Sequence, residues 1–334
     1  MSAAPLEIVL LTVRPRDTDF RYHLARELHA LGHHVRYVFL KRHPELEDLS
    51  SGERRTMSLP ELVRWFAGFR RQRVRPVVFN STNLAFPGLC ALLRAVSGTR
   101  WVFDMHDDLL YEDRGLSRAR KIARQRLLLA TSDVVVHAAP ALQQLFPQSQ
   151  HIGNGSSLQP LPKVRRDPRA VLVLASLDRR FDFDLMRAVA TRLPGHRFDI
   201  YGRVTLNDPA VAAMLDALLA AAPNIAYHQA YSDPELPGIL ARYLVAFAPY
   251  KVGIRFTDYI EPLRFHHCLA SDTGLVSTAI PQALRMADHI ELVRDADEAE
   301  AAFARAAERG GGGARSWREV AERLVAIIRE RRLG

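Results

Sequence analysis

The sequence predicts two doubly wound α/β domains, each a parallel sheet wrapped by helices, facing one another across a cleft. Three observations predict it. Short β-branched apolar runs alternate with longer amphipathic ones almost from end to end, the rhythm of βαβ units with strands buried on both faces. That rhythm breaks across Ser149–Pro168, where the Gly153-Asn154-Gly155 turn, three prolines and a basic run read as a linker. The length, 334 residues, suits two domains at roughly 150 residues each.

Taken in order, Ile8–Val13 reads as a buried strand, and Arg21–Leu31 as a helix with Leu24, Leu28 and Leu31 on one face. Val35–Phe39, Val77–Asn80, Trp101–Asp104 and Asp133–His137 follow as strands, with helices at Leu59–Gln72, Pro87–Val96 and Ser117–Leu129. Past the linker, strands are expected at Ala170–Ala175, Arg197–Tyr201, Ile225–His228, Leu244–Ala248 and Gly274–Ser277. Helices are expected at Phe183–Leu193, Asp208–Ala221, Pro234–Ala241, Pro262–Ser271 and Asp295–Glu308. The tetraglycine Gly310–Gly313 then reads as a flexible hinge before a basic helix, Trp317–Arg332. The expected domains are 1–155 and 169–313, joined by a linker at 156–168 and closed by a helical segment at 314–334. In such sheets ligands sit beyond the carboxyl ends of the strands.

Hydrophobic residues at 48% and charged residues at 25% exclude a disordered chain, a coiled coil and a collagen. Lys and Arg number 46 against 37 acids, giving a charge of +9 and a pI near 9.9. That balance suits work against anionic material. Cys90 and Cys268, far apart, read as buried reduced thiols. No basic n-region precedes the first apolar run, and no run reaches the ~18 residues of a spanning helix. A cytoplasmic protein is expected, with membrane contact at most peripheral.

No GxGxxG follows the first strand and no GxxxxGK[ST] occurs, which argues against dinucleotide oxidoreductases and P-loop NTPases. Metal-ligand spacing is also missing, since His33-His34 and His266-His267 are adjacent pairs, so no metal is expected. Asp182-Phe183-Asp184 opens a helix, where capping explains it. The most informative acids are Asp104, Asp107 and Asp108, around His106, at and just past a strand's carboxyl end. They read either as a general base among crowded carboxylates or as a helix cap with solvated acids.

Asp258–Thr278, DYIEPLRFHHCLASDTGLVST, resembles a nucleotide-sugar-binding helix-turn-strand of GT-B glycosyltransferases, and Asn224–Tyr250 resembles a run of the same enzymes. The same stretches also resemble the membrane-associated glucuronosyltransferase of xanthan assembly. The resemblance covers most of residues 100–290. It implies Asp107 as catalytic base, deprotonating an acceptor hydroxyl with inversion at the anomeric carbon and no metal. It implies donor contacts from Arg264, which stands for the family's lysine, and from His267, Leu263, Tyr250, Gly202, Arg203 and Ser176. His106, Asn80 and Arg14 would face the acceptor. The turn Ala270-Ser271-Asp272-Thr273-Gly274 lacks the family's glycine and proline at their usual places. A nucleoside diphosphate sugar, most simply a UDP-sugar, would be co-substrate with no other cofactor, and the acceptor a saccharide or lipid-linked saccharide.

Of the net charge, +7 belongs to residues 1–160. Arg54–Arg75 holds seven arginines around Trp65, Phe66 and Phe69, with Arg70 and Arg71 among them. Such a helix suits an anionic bilayer surface, the alternative being an amphipathic helix packed on the sheet with a solvated rim. Rival readings are a retaining transferase, a sugar-nucleotide epimerase, or a non-catalytic binder of anionic polymer. Nucleic acid is not an expected partner, because the arginines are not interleaved with stacking aromatics on a strand face.

Overall fold

The computed structural model describes residues 4–108, 110, 114–162, 167–204 and 208–331. The basic run Lys163–Arg166 of the expected linker lies outside the described residues. Two units divide the chain. One comprises Met1–Asn154 with Trp317–Gly334, the other Gly155–Ser316.

The first unit is built on an eight-stranded sheet. Its strands are β1 (Glu7–Thr12), β2 (His34–Phe39), β3 (Glu45–Asp48), β4 (Arg54–Thr56), β5 (Val77–Ser81), β6 (Arg100–Met105), β7 (Val134–His137) and β8 (Gln150–His151). They lie in the order β4-β3-β2-β1-β5-β6-β7-β8. All pairings are parallel except those of β3 and β4, which form an antiparallel extension at one edge. Ile8 to Leu11 are completely buried, as expected of a strand covered on both faces. The β3–β4 hairpin was not legible as strands, because its residues, ELED and RRT, carry almost no apolar pattern.

The second unit is a six-stranded, wholly parallel sheet. Its strands β9 (Ala170–Leu174), β10 (Arg197–Tyr201), β11 (Ile225–Tyr227), β12 (Val245–Ala248), β13 (Gly274–Thr278) and β14 (Ile290–Val293) run in the order β11-β10-β9-β12-β13-β14. The order turns back beside β9, so β10 and β12 flank it, the kind of switch point at which open α/β sheets place ligands.

The helix Trp317–Glu330 belongs to the first unit and packs along the helix Arg21–Ala30. Trp317 is buried, its ring 6.0 Å from that of Phe20. The tetraglycine before it is closely packed in the second unit. A Cβ on Gly311 would lie 2.3 Å from the Leu269 carbonyl oxygen, while its N–H bonds the Asp272 carboxylate at 3.1 Å. Asp272 itself takes the left-handed backbone, φ 60°, at the turn where the family pattern has glycine. Aspartate tolerates this conformation better than most residues.

Candidate functional site

In the second unit, Ser176 follows β9, Gly202 follows β10 and Tyr250 follows β12, each at a carboxyl end. Leu263 and Arg264 form the first turn of the helix Leu263–Ala270, whose unpaired N–H groups favour negative charge. Arg264 Nη2 donates to Ser176 Oγ at 3.3 Å, and its guanidinium lies 5.7 Å from the centre of the Tyr250 ring. Tyr250 is held at both backbone positions by Thr278, which accepts from its N–H at 3.0 Å and donates to its carbonyl at 2.8 Å. Burial pushes the Tyr250 hydroxyl pKa above its ordinary value against the pull of Arg264 and Arg180, so the phenol stays neutral. Ser176, Tyr250 and Arg264, named from sequence, therefore meet.

The remaining residues expected on the donor side spread around them. His267 Nδ1 is 2.9 Å from Ser156 Oγ, whereas its neighbour His266 is buried against Glu261 at 3.2 Å. Gly202 has φ 150°, and a Cβ there would fall 1.5 Å from the Ala175 carbonyl oxygen. Close approach of the loops after β9 and β10 thus requires glycine. Arg203, next to it, is exposed. Arg179 is paired with Asp208 at 2.8 Å, and Arg180 with Asp178 at 2.5 Å.

In the first unit Asp107 is half-buried just past the carboxyl end of β6. A polar cluster that sequence reasoning did not assemble lies beneath it. Asp104, fully buried, takes two bonds from the equally buried Arg21, at 2.8 and 2.9 Å, and one from Ser81 Oγ at 2.9 Å. His106 Nε2 bonds the same carboxylate and lies 2.9 Å from Ser81 Oγ. Burial alone would raise the Asp104 pKa, but the Arg21 charge and the hydrogen bonds from His106 and Arg21 outweigh it and hold the carboxyl well below its usual range. The available signal was Arg21 itself, an arginine on a helix that otherwise turns Leu24 and Leu28 inward.

Asn80, fully buried at the end of β5, accepts from Thr82 Oγ1 at 2.8 Å. Arg14 is exposed after β1, its guanidinium 5.7 Å from the Phe20 ring. Asn80, His106 and Asp107 thus share one edge of the sheet.

The aromatic helix requires a correction. Phe66 and Phe69 are buried, with rings 5.4 Å apart, and Phe66 lies 6.3 Å from Trp101 near the start of β6. These rings fill the core of the first unit, so they cannot enter a bilayer. Trp65 is partly exposed, while Arg64, Arg70 and Arg71 face solvent, Arg70 also donating to the Ala95 carbonyl. This group sits at the amino-terminal end of the sheet, opposite Asp107.

Among the described residues no helix is long and apolar enough to cross a membrane. Comparison with solved structures decides the architecture. Anabaena HepE, solved with UDP and glucose, superposes with a TM-score of 0.65 at 12% identity, over 97% of this chain and 99% of that one. AviGT4, a glycosyltransferase involved in avilamycin A biosynthesis, gives 0.60 at 16% identity over 98% of both chains. An alpha-glucosyltransferase, in complex with UDP and a 13-mer DNA, gives 0.62 at 11% identity over 99% and 94%.

The chain has the GT-B fold. The family described as "Glycosyl transferase 4-like domain" matches residues 19–154, within the first unit of this GT-B chain. None of the curated proteins matches it. The span 19–154 runs from Asp19, whose carboxylate accepts from the Arg21 N–H at 3.0 Å, to the residue after Gly153, whose carbonyl accepts from Arg21 Nη1 at 3.3 Å. The matched span thus contains the whole Asp104 cluster of the GT-B first unit.

Proposed function

We propose that the protein is a glycosyltransferase that moves a sugar from a UDP-sugar to a saccharide hydroxyl, with inversion. The observation that carries this is the contact of Arg264 with Ser176 and Tyr250 at the carboxyl ends of β9 and β12. There a guanidinium, a hydroxyl and a helix N-terminus converge where a diphosphate would need neutralising. UDP in the HepE structures and in those of the alpha-glucosyltransferase supports the donor class.

Asp107 is the base in this reading. It takes the proton of the acceptor hydroxyl as that oxygen attacks the anomeric carbon and the bond to the diphosphate breaks. Arg264 stabilises the charge on the departing UDP, with His267, Gly202, Arg203 and Leu263 completing the donor side. The resemblance to the xanthan enzyme places a uronosyl sugar among the donors to screen. Clustering of the positive charge in residues 1–160 favours work at the cytoplasmic face of an anionic membrane on a lipid-linked acceptor.

Calorimetric titration with UDP, followed by a donor screen read by UDP release, tests the proposal. UDP should bind the parent and the Asp107→Asn variant alike, while turnover in Asp107→Asn falls about 100- to 10,000-fold. Full turnover in that variant would sink the base assignment. Absence of UDP binding by the parent, with tight oligonucleotide binding at moderate salt, would favour a non-catalytic binder.

A further inference from the structure

A second concavity, of about 380 Å³, lies on the first unit, away from the Asp104 cluster. Its walls are the loop after β1, the end of β2, and the β3–β4 hairpin. Register explains its composition. Tyr37 pairs with Glu47 and Phe39 with Glu45 across β2–β3, and Glu47 pairs with Arg54 across β3–β4. Paired residues point to the same face of a sheet. The hairpin therefore extends the sheet sideways with two aromatic rings, acids and an arginine on one surface.

Charge in this pocket is balanced. Arg16, Arg54 and Arg55 line it together with Asp17, Glu45 and Glu47. Glu47 sits at the centre, its side chain 12% exposed, accepting from Arg54 and from the Tyr22 hydroxyl at 3.0 Å each, with Arg16 at 3.7 Å. An anion entering here meets three carboxylates, and a cation meets three guanidinium groups. A neutral ligand dense in hydroxyls can donate to the acids and accept from the arginines, while its C–H faces lie against the half-buried Phe39.

We propose that this pocket binds a neutral sugar residue, the distal part of an acceptor saccharide; the acceptor assignment rests on the function proposed above. Position supports it. The loop after β1 and the end of β2 lie at the carboxyl edge of the sheet, as does Asp107 beyond β6. From β2 to β6 are three strand spacings, about 14 Å. An oligosaccharide can span that distance with one residue in the pocket and its terminal hydroxyl at Asp107.

Saturation-transfer NMR on the full chain tests the pocket, with maltose, cellobiose, lactose and diacetylchitobiose as neutral probes and glucuronate as the anionic control. At least one neutral disaccharide is expected to bind in preference to glucuronate. Glu47→Gln and Arg54→Ala should each weaken it about 10-fold or more, the loss of one charge-assisted hydrogen bond. Arg16→Ala, in the loop after β1 and 3.7 Å from Glu47, gives the same readout should either of those variants unfold. No neutral binding, equal or stronger glucuronate binding, or binding indifferent to the three variants would overturn the proposal. UDP affinity, measured in the same samples, separates the two ideas. Saccharide binding without UDP binding leaves this pocket standing and removes the transferase, and UDP binding alone does the reverse.

Discussion

Arg21 and Asp104 form a bidentate ion pair, bonds of 2.8 and 2.9 Å, in which both side chains are completely shielded from solvent. The pair joins the first helix to β6 just below Asp107. The arginine also lies 5.2 Å from the Phe20 ring and 5.5 Å from the Trp317 ring, so the charge is boxed in by π faces. Breaking one partner strands a buried charge. Asp104→Asn or Arg21→Met should each lower unfolding stability by about 3–5 kcal/mol in urea titrations. The double change Arg21→Met with Asp104→Leu should recover much of that loss.

Acid stability follows from the same carboxylate. Its folded pKa is depressed, so its contribution is complete above the ordinary carboxylate value near 4 and is lost as pH falls toward the depressed value. Asp133 and Asp199, depressed by arginine and other hydrogen-bond partners against the cost of burial, act in the same direction. Melting temperature should therefore drop steeply below about pH 4, and less steeply in Asp104→Asn. A flat profile in the parent would contradict the assignment.

Arg264 should matter through geometry as well as charge. Arg264→Ala is expected to weaken UDP binding about 10- to 100-fold by calorimetry, the loss of charge-assisted bonds. Arg264→Lys should fall between, because an ammonium keeps the charge and loses the fork.

Both thiols should be silent. Burial pushes Cys90 up to about 11 and Cys268 up to about 12. A thiol reagent at pH 8 should label neither in the folded protein and both after denaturation. Rapid labelling of Cys268 without unfolding would show that β13 and its preceding helix open locally.

Arg64, Arg70 and Arg71 remain available for an anionic surface although the neighbouring phenylalanines do not. Binding to phosphatidylglycerol vesicles should be weak, fall with salt, and diminish in a triple Ala variant of these arginines. Binding that survives high salt would require apolar insertion, which the burial of Phe66 and Phe69 opposes.

The parallel strands were legible because runs such as Ile8–Leu11 and Ala170–Leu174 are apolar on both faces. Polar strands were not: β3 and β4 pair through charged side chains, and nothing in ELED or RRT distinguishes them from a loop. Asp107 and Arg264 were named through a resemblance, the first lying just past β6 and the second in the first turn of the helix Leu263–Ala270. Arg21 and Ser81 act through Asp104 on another strand, and beyond an arginine on an inward helix face no local pattern marks such partners. The turn at Asp272 departs from its pattern for a visible reason: its carboxylate accepts the Gly311 N–H, an interaction glycine could not make.

Because the helix Trp317–Glu330 completes the first unit, the second unit is in effect an insertion within it. A ribosome therefore releases the contiguous second unit while the first still lacks the indole that stacks on Phe20 and His23. The half that begins first is finished last, and until then the helix Arg21–Ala30 presents Arg21, already paired with Asp104, through an uncovered face. Chains stalled before Trp317 should show a protease-resistant second unit beside a first unit that is readily cut, a difference visible by limited proteolysis of ribosome-bound intermediates.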